Sequence, residues 1–262
     1  MIDTAEPTEP TEHADQVAEL KRQWADTPAK HYQLLRMAAL PTERGGSTRA
    51  LRFAELARSE RHHPHLSMLR LSVQLPGQIL HREQNVLELW LDHRDHSIEF
   101  GPASGVQIEP ANRGLGRFLA AQAINWALPR CSHYRVIGGN FSGKDNFDET
   151  LRKRRDHVLE ALGFSVNYSD SAQTKGDYSA ALLSDLQGQW NGEKVQVVSL
   201  LEAGKLLQQA EQTLTEQAIK LRQKDEQLAT SVRDEGALRF TISALVMFCL
   251  FQAALLFWLM LR

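Results

Sequence analysis

Cysteine is nearly absent from this 262-residue chain, which holds only Cys131 and Cys249. Two thiols, the second inside an apolar run, cannot build a disulfide framework or a cysteine zinc site. An excess of either charge is absent as well: 30 Lys and Arg against 32 Asp and Glu leave −2, which argues against a nucleic-acid-binding protein. Met1 to Asp15 contains no Lys, no Arg and no apolar core, so no export signal is expected there. Its repeated Thr, Glu and Pro over residues 1–14 offer too little apolar surface to fold, and a disordered acidic leader is expected. The histidines (His62, His63, His65, then His93 and His96) show no third-ligand spacing, and no metal is expected.

What the chain does possess in quantity lies at its end. Phe240 to Leu261 is apolar except at Thr241, Ser243 and Gln252, and carries no charge. At about 1.5 Å per residue it reaches roughly 33 Å, enough for the ~30 Å hydrocarbon core of a bilayer. A single C-terminal membrane span is expected, with the preceding chain cytoplasmic. Arg233 and Arg239 upstream, against Arg262 beyond, lean the same way.

Periodicity divides the rest. Val17, Leu20 and Trp24 predict a first helix from Asp15, and Thr27-Pro28 opens a second with Tyr32, Leu35 and Ala39 on one face, ended by Pro41 and Gly45-Gly46. A third helix is predicted from about Ser47 to Ser59 through Leu51 and Ala54. The period then becomes two: Leu69, Leu71, Val73 and Leu75 alternate with polar residues, predicting a strand with one wet face. Strands follow at 86–91, 98–100 and 106–108, then a helix over 115–127 ending near Pro129, a strand over 134–138, and a helix over 145–162.

The turn Ile108-Glu109-Pro110-Ala111-Asn112-Arg113-Gly114-Leu115-Gly116-Arg117 joins a predicted strand to a helix. Closely spaced glycines at a helix start let backbone N–H groups converge on a phosphate, although the same pattern also serves plain tight connections. The order strand, Pro-x-x-Arg-Gly-x-Gly loop, helix, strand, and helix ending in Leu162-Gly163-Phe164 resembles the GNAT superfamily of acetyl-CoA-dependent N-acetyltransferases over roughly residues 65–187. Two departures stand out. Aligned on Pro110 and Arg113, the family's last small loop residue falls on Phe118; aligned on Gly116, the loop is two residues short. Leu159 also occupies the position where many members carry a proton-donating tyrosine.

The resemblance implies an α/β domain with a mixed central sheet flanked by helices over 15–190. It further implies acetyl-CoA held by Ile108, Arg113, Gly114, Leu115, Gly116 and Arg117, and an amine acceptor, protein or small molecule. Glu99, on the strand before the loop, and Glu109 are the candidate bases for the incoming ammonium. Arg155 shares the apolar stripe of Phe147, Leu151, Val158 and Leu162, so it requires an anion: the ligand, or an internal carboxylate. Between domain and span, residues 195–235 predict a polar helical stalk. Leu200, Leu207, Leu214, Leu221 and Leu228 recur every seventh residue, one seam of a weak coiled coil and a route to a homodimer. The expected protein is a membrane-tethered N-acetyltransferase; the rival is a non-catalytic docking module on the same fold.

Overall fold

The computed structural model describes residues 9–40, 50–79, 81, 83–102, 105–141, 148–171, 173 and 175–261. The chain forms two units, residues 1–199 and 200–262. Within the first, α1 (Glu9–Trp24) precedes five strands: β1 (His31–Met37), β2 (Arg52–His62), β3 (Leu66–Gln74), β4 (Val86–Asp92) and β5 (Ser97–Gly101). Then come α2 (Leu115–Cys131), β6 (Arg135–Ile137), β7 (Gly139–Asn140), α3 (Glu149–Ala161), β8 (Ser165–Tyr168), β9 (Gly176–Ser179) and β10 (Val195–Val198). A seven-stranded mixed sheet runs β10-β1-β2-β3-β4-β5-β6, antiparallel throughout except for the parallel pair β5–β6. A smaller sheet runs β7-β9-β8. The expected α/β class, a mixed sheet flanked by helices, is what the chain adopts.

Alternation along β3 and β4 sends side chains to two cores. Leu69, Leu71 and Val73, with Leu87, Leu89 and Leu91, bury against Phe118, Leu119, Ala123 and Ile124 of α2. Leu66, Met68 and Trp90 face the other way and are covered by Val17, Leu20 and Trp24 of α1, with Trp24 stacked on Trp90 at 6.3 Å. The face of β3 expected to be wet is therefore roofed by a helix. Its one charge, Arg70, donates to the buried Glu88 carboxylate and to the Ala25 carbonyl, and the Trp90 indole donates to the same carboxylate at 3.0 Å. Pairing of this kind is what allows a buried ion to persist.

Several expected elements differ. The second and third predicted helices are the strands β1 and β2: Leu35 and Met37, then Ala54 and Leu56, are buried at spacing two, and a neighbouring strand supplies the hydrogen bonds. Pro41 and Gly45-Gly46 lie outside the described residues. The expected leader is helical from Glu9, and buried His13 contacts Asp92 at 2.8 Å; residues 1–8 are outside the described set. Residues 106–108 form no strand, only a single bridge from Gln107 to Gln84. Helix α2 continues through Pro129 to Cys131. Val195–Val198, placed in the stalk, is instead an edge strand on β1.

Strands β6 and β7 are almost continuous in sequence but belong to different sheets, and the passage occurs at Gly138. A Cβ there would meet the Tyr178 carbonyl oxygen at 2.3 Å, so only glycine fits. Helix α3 starts on Asp148, whose carboxylate accepts from the N–H groups of Thr150 and Leu151. It ends at Gly163, φ +94°, where a Cβ would lie 2.5 Å from the Asp185 carbonyl. The second unit is one helix, α4 (Leu200–Met260), 61 residues long, or about 90 Å. Its stretch Arg239–Trp258 is long and apolar enough to cross a membrane, with mean hydropathy 2.2.

Candidate functional site

The glycine turn lies at one end of the sheet and is held there by Asn85. This fully buried residue, φ +58°, accepts from the Glu109 N–H through Oδ1 at 2.6 Å, while its own N–H donates to the Gln107 carbonyl at 2.8 Å. The segment then reaches Gly114, φ +79°, and α2 begins with no side-chain cap. Among the described residues no acceptor takes the N–H groups of Leu115, Gly116 or Arg117. A helix start of this kind carries partial positive charge aimed outward. Ile108 forms one wall: a Cβ added to Gly116 would sit 3.8 Å from its Cγ1. Ile108 and Gly116 therefore face each other at this turn, with Gly114 two residues ahead of Gly116.

The two arginines of the motif do something else with their guanidinium groups. Arg113 is buried and donates to the Ala38 carbonyl at 2.9 Å and to the Ala50 carbonyl at 3.0 Å, tying the end of β1 to the approach to β2. Arg117 donates to the carbonyls of Gln189 at 3.0 Å and Ala161 at 3.3 Å, closing the C-terminal end of α3. Both shape the turn through backbone carbonyls. The aliphatic stem of Lys194 packs instead over Gly114, 3.6 Å from where a Cβ would stand, and brings a cation to the same turn. Nothing in the local sequence marks Lys194; only the pairing of β10 with β1 delivers it.

Of the two candidate bases, only Glu109 belongs to this turn. Glu99 points to the α1 face of the sheet and pairs with Lys21 at 2.5 Å, with 44% of its side chain exposed. Glu109 is exposed and lines an open groove of about 270 Å³ with Arg52, Pro76, Gly77 and Pro110. Leu159 packs against the core, where it can move no proton. Tyr178 of β9 is a phenol that no local pattern marks: burial and then the Glu99 carboxylate push its pKa up, keeping it protonated. It stands in a ladder of rings, Phe100 to Phe164 at 5.6 Å, Phe164 to Tyr178 at 5.5 Å and Tyr178 to Phe141 at 5.7 Å, running from β5 towards the second sheet.

Arg155 meets an internal carboxylate. Its Nε and Nη2 donate to Asp156 Oδ1 at 3.1 and 2.9 Å, and Nη2 also donates to the Tyr168 hydroxyl at 2.7 Å. Tyr168 in turn donates to Asp156 Oδ2 at 2.6 Å, and the guanidinium lies 3.5 Å over the Phe141 ring. Of the stripe it was placed in, Leu151 is 42% exposed and Phe147 is outside the described residues, while Val158 and Leu162 pack on the core.

At the opposite end of the sheet a polar chain links β2, β3 and β4. Ser67 Oγ lies 3.1 Å from His62 Nδ1 and 2.7 Å from His93 Nε2, and His93 Nδ1 is 3.0 Å from the Tyr134 hydroxyl. Burial pushes the His93 pKa down, favouring the neutral ring such a chain requires. Beside it, His13, Asp92 and Asp95 bring ligand-type atoms within 4.8 Å. Asp92 already accepts from His13 and from the N–H groups of Arg94 and Asp95. No family model, no curated protein and no solved structure matches the chain.

Proposed function

We propose that residues 9–199 form a GNAT-type N-acyltransferase domain that moves an acetyl group from acetyl-CoA to an amine, held at a membrane by Arg239–Trp258. The observation that carries this reading is the open first turn of α2. Three N–H groups without acceptors among the described residues open this helix, where Gly114 and Gly116 leave room for a pyrophosphate. Supporting it are the parallel β5–β6 pair joined through α2 and the departure of the chain from the main sheet at Gly138. Bound acetyl-CoA supplies an activated thioester. In this reading Leu115, Gly116 and Arg117 hold the pyrophosphate through backbone, Lys194 neutralises it, and Arg113 and Arg117 fix the turn. Tyr178 offers the proton for the departing thiolate, and Glu99, partly open to water, takes one from the amine once Lys21 yields it.

The non-catalytic alternative has one specific observation in its favour, the Lys21–Glu99 pair, which occupies the only carboxylate on β5. Calorimetric titration of the full chain in detergent with acetyl-CoA, followed by thiol release in the presence of polyamines and peptide amines, separates the two. Binding with turnover fits the enzyme; binding without turnover fits the docking module; no binding ends the cofactor reading. For the anchor, deletion of residues 239–261 is expected to move the protein from carbonate-washed membranes to the soluble fraction. The remaining polar part of α4 is then a stalk, and the first unit lies on the cytoplasmic side. Protease protection in sealed vesicles tests that side.

A further inference from the structure

Leu200, Leu207, Leu214, Leu221 and Leu228 are each 64–82% exposed, a row of apolar side chains along one line of α4. The same seven-residue count, interrupted at Glu235, continues into the apolar stretch at Ile242, Cys249 and Leu256. Three residues beyond each of these come Leu245, Gln252 and Leu259, and the same positions further up hold Ala203, Ala210, Gln217, Lys224 and Ser231. The one amide of the apolar stretch therefore falls on the seam the leucines define.

We infer that α4 pairs, parallel and in register, with α4 of a second copy of this chain, along one seam from the polar part of the helix into the bilayer. The inference rests on the membrane-anchor reading above. Three features select a second copy as the occupant. Lipid cannot hydrogen-bond Gln252, which has no partner among the described residues. An identical amide, with both donor and acceptor, completes it across a symmetric pair. In a parallel pair with the leucines at the first core position, residue i of one helix adjoins residue i+5 of the other, so Lys220 meets Asp225 of the second copy. A straight helix drifts by about 20° per heptad, or roughly 160° over the eight heptads from Leu200 to Leu256. The seam stays on one partner only in a left-handed supercoil, which two copies anchored in the same direction wind naturally.

Cys249 tests this directly, because it lies on the seam and the only other cysteine, Cys131, is buried in the first unit. Full-length chain carrying Cys131→Ala, in carbonate-washed membranes, is treated with copper phenanthroline. Two Cys249 thiols each lose a hydrogen atom to the oxidant and join as one disulfide, giving a band at twice the chain mass. Strong cross-linking is expected. A variant with Cys131→Ala, Cys249→Ala and Leu250→Cys, which moves the thiol off the seam, is expected to cross-link at least fivefold less. Gln252→Leu in the Cys249 background is expected to reduce the dimer band several-fold. Equal cross-linking at 249 and 250, or none at 249, overturns the pairing while leaving the anchor standing, and so does a cross-linked band of any other mass. Loss of the chain in the carbonate wash overturns the anchor reading instead.

Discussion

Replacing Arg155 by Met removes two hydrogen bonds to Asp156, one to Tyr168, and the stacking over Phe141. Breaking a fully buried ion pair costs about 3–5 kcal/mol. Here about a fifth of each side chain is exposed, 20% for Arg155 and 18% for Asp156, so water softens the loss. Tyr168 still donates to Asp156 Oδ2, so the carboxylate keeps one strong partner. Methionine also refills part of the stem volume. The balance is a destabilisation of about 2 kcal/mol, or a fall in Tm of roughly 4–8 °C for a unit of this size. Thermal unfolding of the detergent-solubilised chain, followed by near-ultraviolet circular dichroism, measures it. Asp156→Asn and the double variant complete a cycle, in which a coupling of about 1–2 kcal/mol is expected. Unchanged melting with weakened acetyl-CoA binding would refute the reasoning, because the anion facing Arg155 would then be the ligand.

The two glycines of the turn should separate fold from binding. Gly114→Ala, at φ +79°, is expected to cost about 1–2 kcal/mol by chemical denaturation. Gly116→Val, facing only Ile108 at ordinary contact distance, should leave melting unchanged and weaken acetyl-CoA binding at least tenfold by calorimetry. Tyr178→Phe should retain cofactor affinity and lower the acetylation rate, and equal rates would remove it as proton donor. Burial raises the Glu60 pKa, but the Trp126 indole and the Arg58 guanidinium more than offset this and hold the carboxyl below its ordinary 4.5. A pKa depressed by folding contributes stability above 4.5 that is lost as pH falls through the lower folded value. Acid unfolding below pH 4.5, read by Trp126 fluorescence, should therefore be less steep in Glu60→Gln.

The strands of the central sheet were readable because β3 and β4 carry Leu69, Leu71, Val73, Leu87, Leu89 and Leu91 at every second position, set off by Arg70, Ser72 and Glu88 between them. β1 was not, since Tyr32, Leu35 and Ala39 imitate a helical face while the decisive pair is Leu35 and Met37, separated by a single Arg36. β2 misleads in a similar way: burial shifts from Ala54 and Leu56 on one face to Ser59 on the other, and Glu60 then pairs with Trp126 of α2. Gly114 was legible because its φ of +79° favours glycine, whereas Gly116 stands in ordinary helical backbone and only its place in the motif marks it. The engagement of Arg113 with the carbonyls of Ala38 and Ala50, and of Arg155 with Asp156, was not, because local spacing reveals a need for a partner and not its identity. Lys194 and Tyr178 reach their places through long-range strand pairing, which leaves no local mark.

The pairing of β10 with β1 joins Leu34 to Val198, so the outer edge of the first strand is covered by the last strand to be made among the described residues. At about 5–20 residues per second of synthesis, that edge stands open for roughly 8–30 s after β1 has been made. A row of unpaired backbone groups exposed that long invites pairing with another nascent chain. Any disturbance of Val195–Val198 should then show itself first as aggregation during expression, with the finished protein far less affected.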